Sequence, residues 1–358
     1  LANLIGNINA GGGGVNRNVI INGAMNVAQR RTSASSIGNE TVFILDRFKT
    51  LQSGSNGVLT MSQDSSAPSG FANSLKLDCT TADTSIASGE SLILRQVIEG
   101  QNLQAFAKGT SDAKPFAVSF YVKGNASATY NCVLGDEDNT RQSVRQFTVG
   151  TDWSRVELTF PPDTTGAFDD DNAGSLEFNI ILHAGSDLTS GSLNENVWEA
   201  RDFTKQGSGI SSFYDSTDRT FFITGVQLEV GQNPTSFEHE PFETTLHKCK
   251  RYYQQVTTGE NNGPIALATA FNSSQVSIPI PLRPEMRATP TVDVESGSNY
   301  YRFTANADNT DMSDVAKDIA TRQAIILYKG SLSGMTGGHA GYFFTKSTSA
   351  RLAMKAEL

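Results

Sequence analysis

Alternation with a period of two governs this chain. Phe116, Val118, Phe120 and Val122 alternate with Ala117, Ser119, Tyr121 and Lys123. Val156, Leu158 and Phe160 alternate with Arg155, Glu157 and Thr159, and Leu176, Phe178, Ile180 and Leu182 with Glu177, Asn179, Ile181 and His183. Successive side chains of a strand point to opposite faces, so this pattern arises where one face is buried. The same reading places strands at Val19 to Ile21, Phe43 to Thr50, Val58 to Gln63, Ser74 to Cys79, Leu92 to Ile98 and Thr220 to Val230. Turns rich in Gly, Ser and Asp separate them. No strongly amphipathic helix of crossover length intervenes, which excludes parallel βαβ units. The pattern specifies an antiparallel two-sheet sandwich.

The period changes after Val230. Gly231 and Pro234 break the alternation, and Glu238 to Glu243 has the character of a connector. Leu246, Cys249, Tyr253 and Val256 then fall at i, i+3, i+7 and i+10, an apolar stripe that predicts a short helix over Thr244 to Val256. A second β region follows, with strands expected at Ile265 to Phe271, Gln275 to Ile280, Thr291 to Val294, Tyr300 to Thr304, Ala324 to Tyr328 and Tyr342 to Thr345. A last one is expected from Arg351 to the terminal Leu358, so that the chain ends inside a sheet, an expectation that speaks against a pro-region or a lost C-terminal domain. The reading is all-β: two antiparallel, jelly-roll-like β-sandwich domains joined by a short helix. Its divisions are an N-terminal arm with a Gly-rich hinge (1–17), a sandwich (18–240), the connector and helix (241–258) and a C-terminal sandwich (259–358).

Several stretches also carry a resemblance. The run ITGVQLEVG, then SFEHEPFE and CKRYYQ, resembles the junction found in tail-fibre-like structural proteins of tailed bacteriophages. NVIINGAMNVAQRRT at Asn18 to Thr32, with LDRF at Leu45 to Phe48, is similar to that family's N-terminal signature. LRQVIEG at Leu94 to Gly100 and PLRPEMRATP at Pro281 to Pro290 also have counterparts, in the family's order. The resemblance implies a virion structural protein with a carbohydrate-binding-module-like jelly roll, assembled as a homotrimer and without a common enzyme activity. It also favours a three-fold axis along the seam Leu246, Cys249, Tyr253 and Val256 over the alternative that this helix lies across a sandwich of its own chain. The arm ahead of Asn18 is expected either to fray or to dock on other virion proteins.

Composition narrows the rest. A net charge of −9 argues against a nucleic-acid surface. No apolar run approaches the ~20 residues that would cross a bilayer, so membrane insertion is not expected. The opening LANLIGNINAGGGG lacks the features of a signal peptide, which fits assembly in the host cytoplasm and a final place in the virion. Cys79, Cys132 and Cys249 are too few and too scattered for a disulfide framework and read as buried free thiols.

Chemistry is sparse. None of the four histidines, His183, His239, His247 and His339, has a Ser, Cys or carboxylate at a spacing that indicates a triad or a metal pair, and no cofactor is expected. GDEDN at Gly135 to Asn139 and DDDN at Asp169 to Asn172 read as solvated turns, with calcium as the alternative for Asp136 to Asp138 and Asp169 to Asp171. Candidates for stacking on a sugar ring are Trp198, Tyr214, Tyr300 and Tyr301, whereas Trp153 is expected at a sandwich edge. The function expected is a non-enzymatic virion protein, tail-fibre-like or virion-decorating, for host adhesion or particle stabilisation. The rivals are a glycan-binding module outside a virion and a fibre-borne depolymerase, for which the repetitive β-helix is missing.

Overall fold

The computed structural model describes residues 16–257, 259–306 and 308–358. The arm expected over residues 1–17 lies outside the described residues except for Asn16 and Arg17. The chain is all-β and divides into two compact units, the second covering Leu246–Glu357, so the division falls inside the predicted connector and helix.

The strands of the first unit are β1 (Ser33–Ile37), β2 (Thr41–Phe43), β3 (Lys49–Ser53), β4 (Val58–Asp64), β5 (Ser74–Thr81), β6 (Ser91–Glu99), β7 (Phe116–Gly124), β8 (Ala128–Asp136), β9 (Arg141–Val149), β10 (Ser154–Phe160), β11 (Gly174–Ala184), β12 (Glu199–Ala200) and β13 (Thr220–Val230). They form a six-stranded sheet, β1-β4-β5-β13-β7-β10, and a seven-stranded sheet, β12-β9-β8-β11-β6-β3-β2. The apolar members of each alternating run, such as Phe116, Phe120, Phe178, Ile180 and Leu228, enclose one core between the sheets. Cys79 and Cys132 belong to it as free thiols, and burial pushes the Cys79 thiol up to about 11. Two short helices, α1 (Ser186–Thr189) and α2 (Phe203–Gln206), lie in the segment between β11 and β13.

Val19 to Ile21 is not a strand. Residues 16–32 run without a ladder, and their backbone groups are met largely by side chains. The Glu238 carboxylate accepts from the amides of Asn16, Arg17 and Asn18 at 2.6, 2.7 and 3.0 Å. Asn18 bridges to β13 by donating from Nδ2 to Val226 O and accepting from the Leu228 amide, both at 3.0 Å. The Gln96 side chain accepts from Ile21 N and donates to Ile21 O. Asn22, at φ 63°, accepts from the amides of Asn26 and Val27 and donates to the carbonyls of Val27 and Asp46. Asp46 accepts from the amide and side chain of Gln29. Gly23 must lack a side chain, since a Cβ there would lie 2.0 Å from Val226 O. Phe43 to Thr50 is likewise two strands, β2 and β3, separated by the buried turn that carries Asp46 and Arg47.

In the second unit the strands are β14 (Tyr253–Gln255), β15 (Pro264–Asn272), β16 (Gln275–Pro281), β17 (Thr291–Val294), β18 (Tyr301–Ala305), β19 (Asp308–Met312), β20 (Ala316–Ala320), β21 (Ala324–Lys329), β22 (Ala340–Thr345) and β23 (Leu352–Lys355). A three-stranded sheet, β14-β23-β17, and a seven-stranded sheet, β19-β18-β22-β15-β16-β21-β20, share a core that includes Ile278, Leu327, Phe343, Leu352 and Met354. The last strand stops at Lys355, short of the terminus.

The predicted helix is shorter than its apolar stripe. Helix α3 (Phe242–Lys250) ends before Tyr253, where the backbone enters β14 and pairs with β23. The Gln254 side chain anchors this change by donating to Pro284 O at 2.7 Å and accepting from Arg283 N at 3.1 Å. Leu246 and Cys249 are therefore helical, whereas Tyr253 is in a strand and Val256 follows it. Cys249 and Tyr253 are 0% exposed within the single chain. The four residues do not share one helical stripe.

Glu238→Ala removes the acceptor for three successive amides, each of which is otherwise met by a charge-assisted bond. It is expected to lower the unfolding free energy by about 2–3 kcal/mol, read as a shift of the denaturation midpoint at unchanged slope.

Candidate functional site

The aromatic residues singled out for sugar stacking are turned inward. Trp198 is 7% exposed, donates its indole N–H to Pro161 O at 2.8 Å and packs on Phe116. Tyr214 is fully buried, with its hydroxyl on Gln52 Oε1 at 2.6 Å and its ring where a Gly57 side chain would stand. Tyr301 is buried with its hydroxyl on the carbonyls of Glu295 and Arg351, and Tyr300 is half-buried over Gly297. Trp198, Tyr214 and Tyr301 therefore offer no open ring face, and Tyr300 is covered in part. Trp153 meets Phe222 edge-on.

Polar residues on the outward face of the seven-stranded sheet of the first unit meet instead. Leu176 and Phe178 enter the core, so Glu177 and Asn179 point away from it. Asn179 pairs directly with Arg95, and Glu177 with Gly135. Arg95 forms an ion pair with Glu177 and donates from Nε to Asn179 Oδ1 at 2.6 Å, while Asn179 Nδ2 donates to Glu177 Oε2 at 3.2 Å. Beside this triangle Arg201 Nη2 contacts Glu137 Oε1 at 2.7 Å and donates to Asp136 O. A Cβ on Gly135 would lie 3.1 Å from Arg201 Nη2 and 3.2 Å from Glu177 Oε2, so this glycine lets the second pair reach the first. Burial pushes the Glu177 carboxyl above the ordinary carboxylate range, against the opposing pull of Arg95, and burial lowers the Arg95 guanidinium. Phe203 is 58% exposed, with the Arg201 guanidinium 5.9 Å from its ring centre. Asn179, at 1% exposure, is thus buried beneath two mutually neutralised ion pairs, with the open ring of Phe203 at their edge. Sequence reasoning named Trp198, which is buried, and not Phe203 in the same part of the chain, which stays outside. The charges at Arg95 and Glu177, opposite in sign on strands of the same sheet, were the signal available.

The other part of this face is roofed. Leu188, Leu193 and Ile210 pack on Val133, Val144 and Ile181. His183, for which spacing found no partner, has two: Nδ1 lies 2.8 Å from Ser212 Oγ and Nε2 3.0 Å from Glu90 Oε2. The order serine, imidazole, carboxylate is that of a nucleophile relay, but the imidazole is 0% exposed and opens on no substrate. These bonds hold the roof segment to the sheet.

The acidic clusters behave differently from each other. Asp136 is no solvated turn, because it is fully buried. Lys108 Nζ lies 2.5 Å from Asp136 Oδ2 and 3.2 Å from Asp163 Oδ2, and donates to the carbonyls of Thr165 and Gly166 at 2.9 and 2.6 Å. The other Asp136 oxygen accepts from the amide of Asn139. Arg141 neutralises Asp163 from outside, and the rings of Phe168 and Trp198 lie 5.2 and 5.5 Å from the ammonium. An ammonium surrounded by oxygens thus sits where a calcium reading of GDEDN would put an ion. Asp169 to Asp171 is exposed, with Asp171 closing a turn onto the Ala173 amide.

No family model matches the chain, and no curated protein matches it. Among solved structures, the enzymatically active domain of tailspike protein 4 of bacteriophage CBA120 is similar over 60% of this chain, at 13% identity and a TM-score of 0.32. The chain spans about a fifth of that structure, 21%. A family 11 carbohydrate-binding module from Clostridium thermocellum is similar over 58% of this chain and 99% of its own, at 11% identity and a TM-score of 0.28. The N-terminal cellulose-binding domain of Cellulomonas fimi β-1,4-glucanase C covers 54% of this chain and 90% of its own, at 14% identity and a TM-score of 0.27. Likenesses this distant say nothing of ligand or partner.

Three outcomes are expected. Lys108→Met leaves Asp136 and Asp163 without their cation and should cost about 3–5 kcal/mol, whereas a chelator should leave the melting temperature of the unmodified chain unchanged. Asp83 supports the turn beneath Tyr214: burial raises its pKa, but the Asn56 and Ser85 amides and the Ser55 hydroxyl outweigh this and hold it below the ordinary value. Its contribution is complete above the ordinary carboxylate range and is lost as pH falls through the lowered folded-state value. Asp83→Asn should therefore flatten the acid side of the stability profile measured by denaturant titration.

Proposed function

We propose that the chain is a non-enzymatic structural protein of a tailed-phage particle, tail-fibre-like, whose first unit binds glycan on the host surface. One observation carries this reading. Six residues of the resembling motifs that lie in the first unit, far apart in sequence, form one connected polar latch: Asn18, Asn22 and Gln29 from the first run, Asp46 and Gln96 from the next two, and Glu238 from the connector. Their joining in one latch supports a common origin for these matches more than scattered short similarities would.

The outward face of the seven-stranded sheet supports the glycan part. Sugar hydroxyls both donate and accept, and the partly exposed Arg95, Arg201 and Glu137 supply donors and an acceptor, with Phe203 as an apolar plate at the rim. Many copies on one particle would turn weak single contacts into firm attachment.

Antiserum against the chain should label purified particles of the producing phage, and labelled full-length chain should bind host cells. Replacing Arg201 and Phe203 by Ala should weaken cell binding about tenfold, without loss of the β-type circular dichroism spectrum. Cell binding with unlabelled particles would move the protein to the reading of a glycan-binding module outside a virion. Neither labelling nor binding would reject both.

A further inference from the structure

The second unit carries an apolar surface that nothing in its own fold covers. Inward residues of its seven-stranded sheet, among them Ile278 and Phe343, fill the core, so the alternate residues face away from it. Across that outer face Tyr342 pairs with Leu267, Pro279 with Ile326, and Ile326 with Ile319. The pairing of Thr269 with Ser277 sets Leu267 beside Pro279, and Phe271 continues the face along β15. Leu267, Phe271, Ile319 and Tyr342 are 67, 69, 61 and 64% exposed. Large apolar residues spread singly over a surface are ordinary, but here four lie on one side of one sheet.

We infer that this face is where copies of this chain meet. At ~200 Å² for a large side chain, the four residues alone expose on the order of 500 Å², already the size of the largest patch on an ordinary monomer. Pro279, Ile326 and the neutral residues between them extend it toward the roughly 800 Å² per partner of a stable interface. The charge pattern selects the occupant. The apolar row contains no ionised side chain, and the pair on the same face, Arg302 and Asp311, is internally neutralised at 2.8 Å. Nucleic acid and acidic membrane would find no cation there. A sugar would find aliphatic Leu267, Pro279, Ile326 and Ile319 in place of ring faces. An identical copy presents the same apolar row, with the exposed Lys317 and Asp318 beside Ile319 as one charge of each sign at its edge. Two sheets meeting through such faces pack about 10 Å apart, as sandwich sheets do. The inference stands independently of whether the chain belongs to a virion.

Light scattering on the full chain at micromolar concentration should give a whole-number multiple of 38.4 kDa. Leu267→Glu with Tyr342→Glu should weaken association about hundredfold or more and yield a monomer with the native circular dichroism spectrum. Ile319→Glu, at the far end of the row, serves as a second variant should the first lose its fold. A monomeric wild-type chain at ~50 µM, where an interface of this size is formed, would overturn the inference. So would folded variants that keep the wild-type mass.

Discussion

A chain segment that enters a sandwich without joining a ladder must still satisfy its peptide groups, and much of the first unit is arranged around that requirement. Residues 16–32 lie against β13 and the turn before β3, with donors and acceptors supplied by Asn18, Asn22, Asp46, Gln96 and Glu238. Each is a polar side chain whose loss would leave a backbone group without its partner. The connector that supplies Glu238 is held in turn by Gln227, which accepts from the Glu238 amide, and by packing of Phe237 and His239 on Phe71. Start and finish of the unit are thereby tied to each other rather than to separate sheets.

Charge is used in two ways in this unit. At Lys108 it is sealed: an ammonium is matched by two carboxylates and two carbonyls, so the loops bearing Asp136, Asp163 and Gly166 share one internal cation. At Arg95, Glu177, Arg201 and Glu137 it is presented: the pairs are neutral together but stand on a sheet face, with side-chain exposures from 10 to 36%. Pairs of the first kind specify structure because breaking them leaves a buried charge. Those of the second kind stay partly exposed to solvent.

Sequence alone determined the strands whose two faces differ. Thr220–Val230 and Thr291–Val294 lie where the alternation places them, and Cys79 and Cys132 sit in the core with the apolar residues of their own strands. Period-2 patterning is local and records a burial contrast that a single strand already contains. The tertiary structure decided what depends on a second, distant segment. Trp198 and Tyr214 are buried and Phe203 is not, because the 185–212 segment folds back on the sheet. Asp136 is an ion-pair partner rather than a turn residue because Lys108 reaches it from another loop. His183 finds Ser212 and Glu90 across separations that no spacing rule covers. Tyr253 continues the helical stripe in sequence, yet its backbone is claimed by β23, and pairing with a preformed strand outweighs one further turn of a short helix.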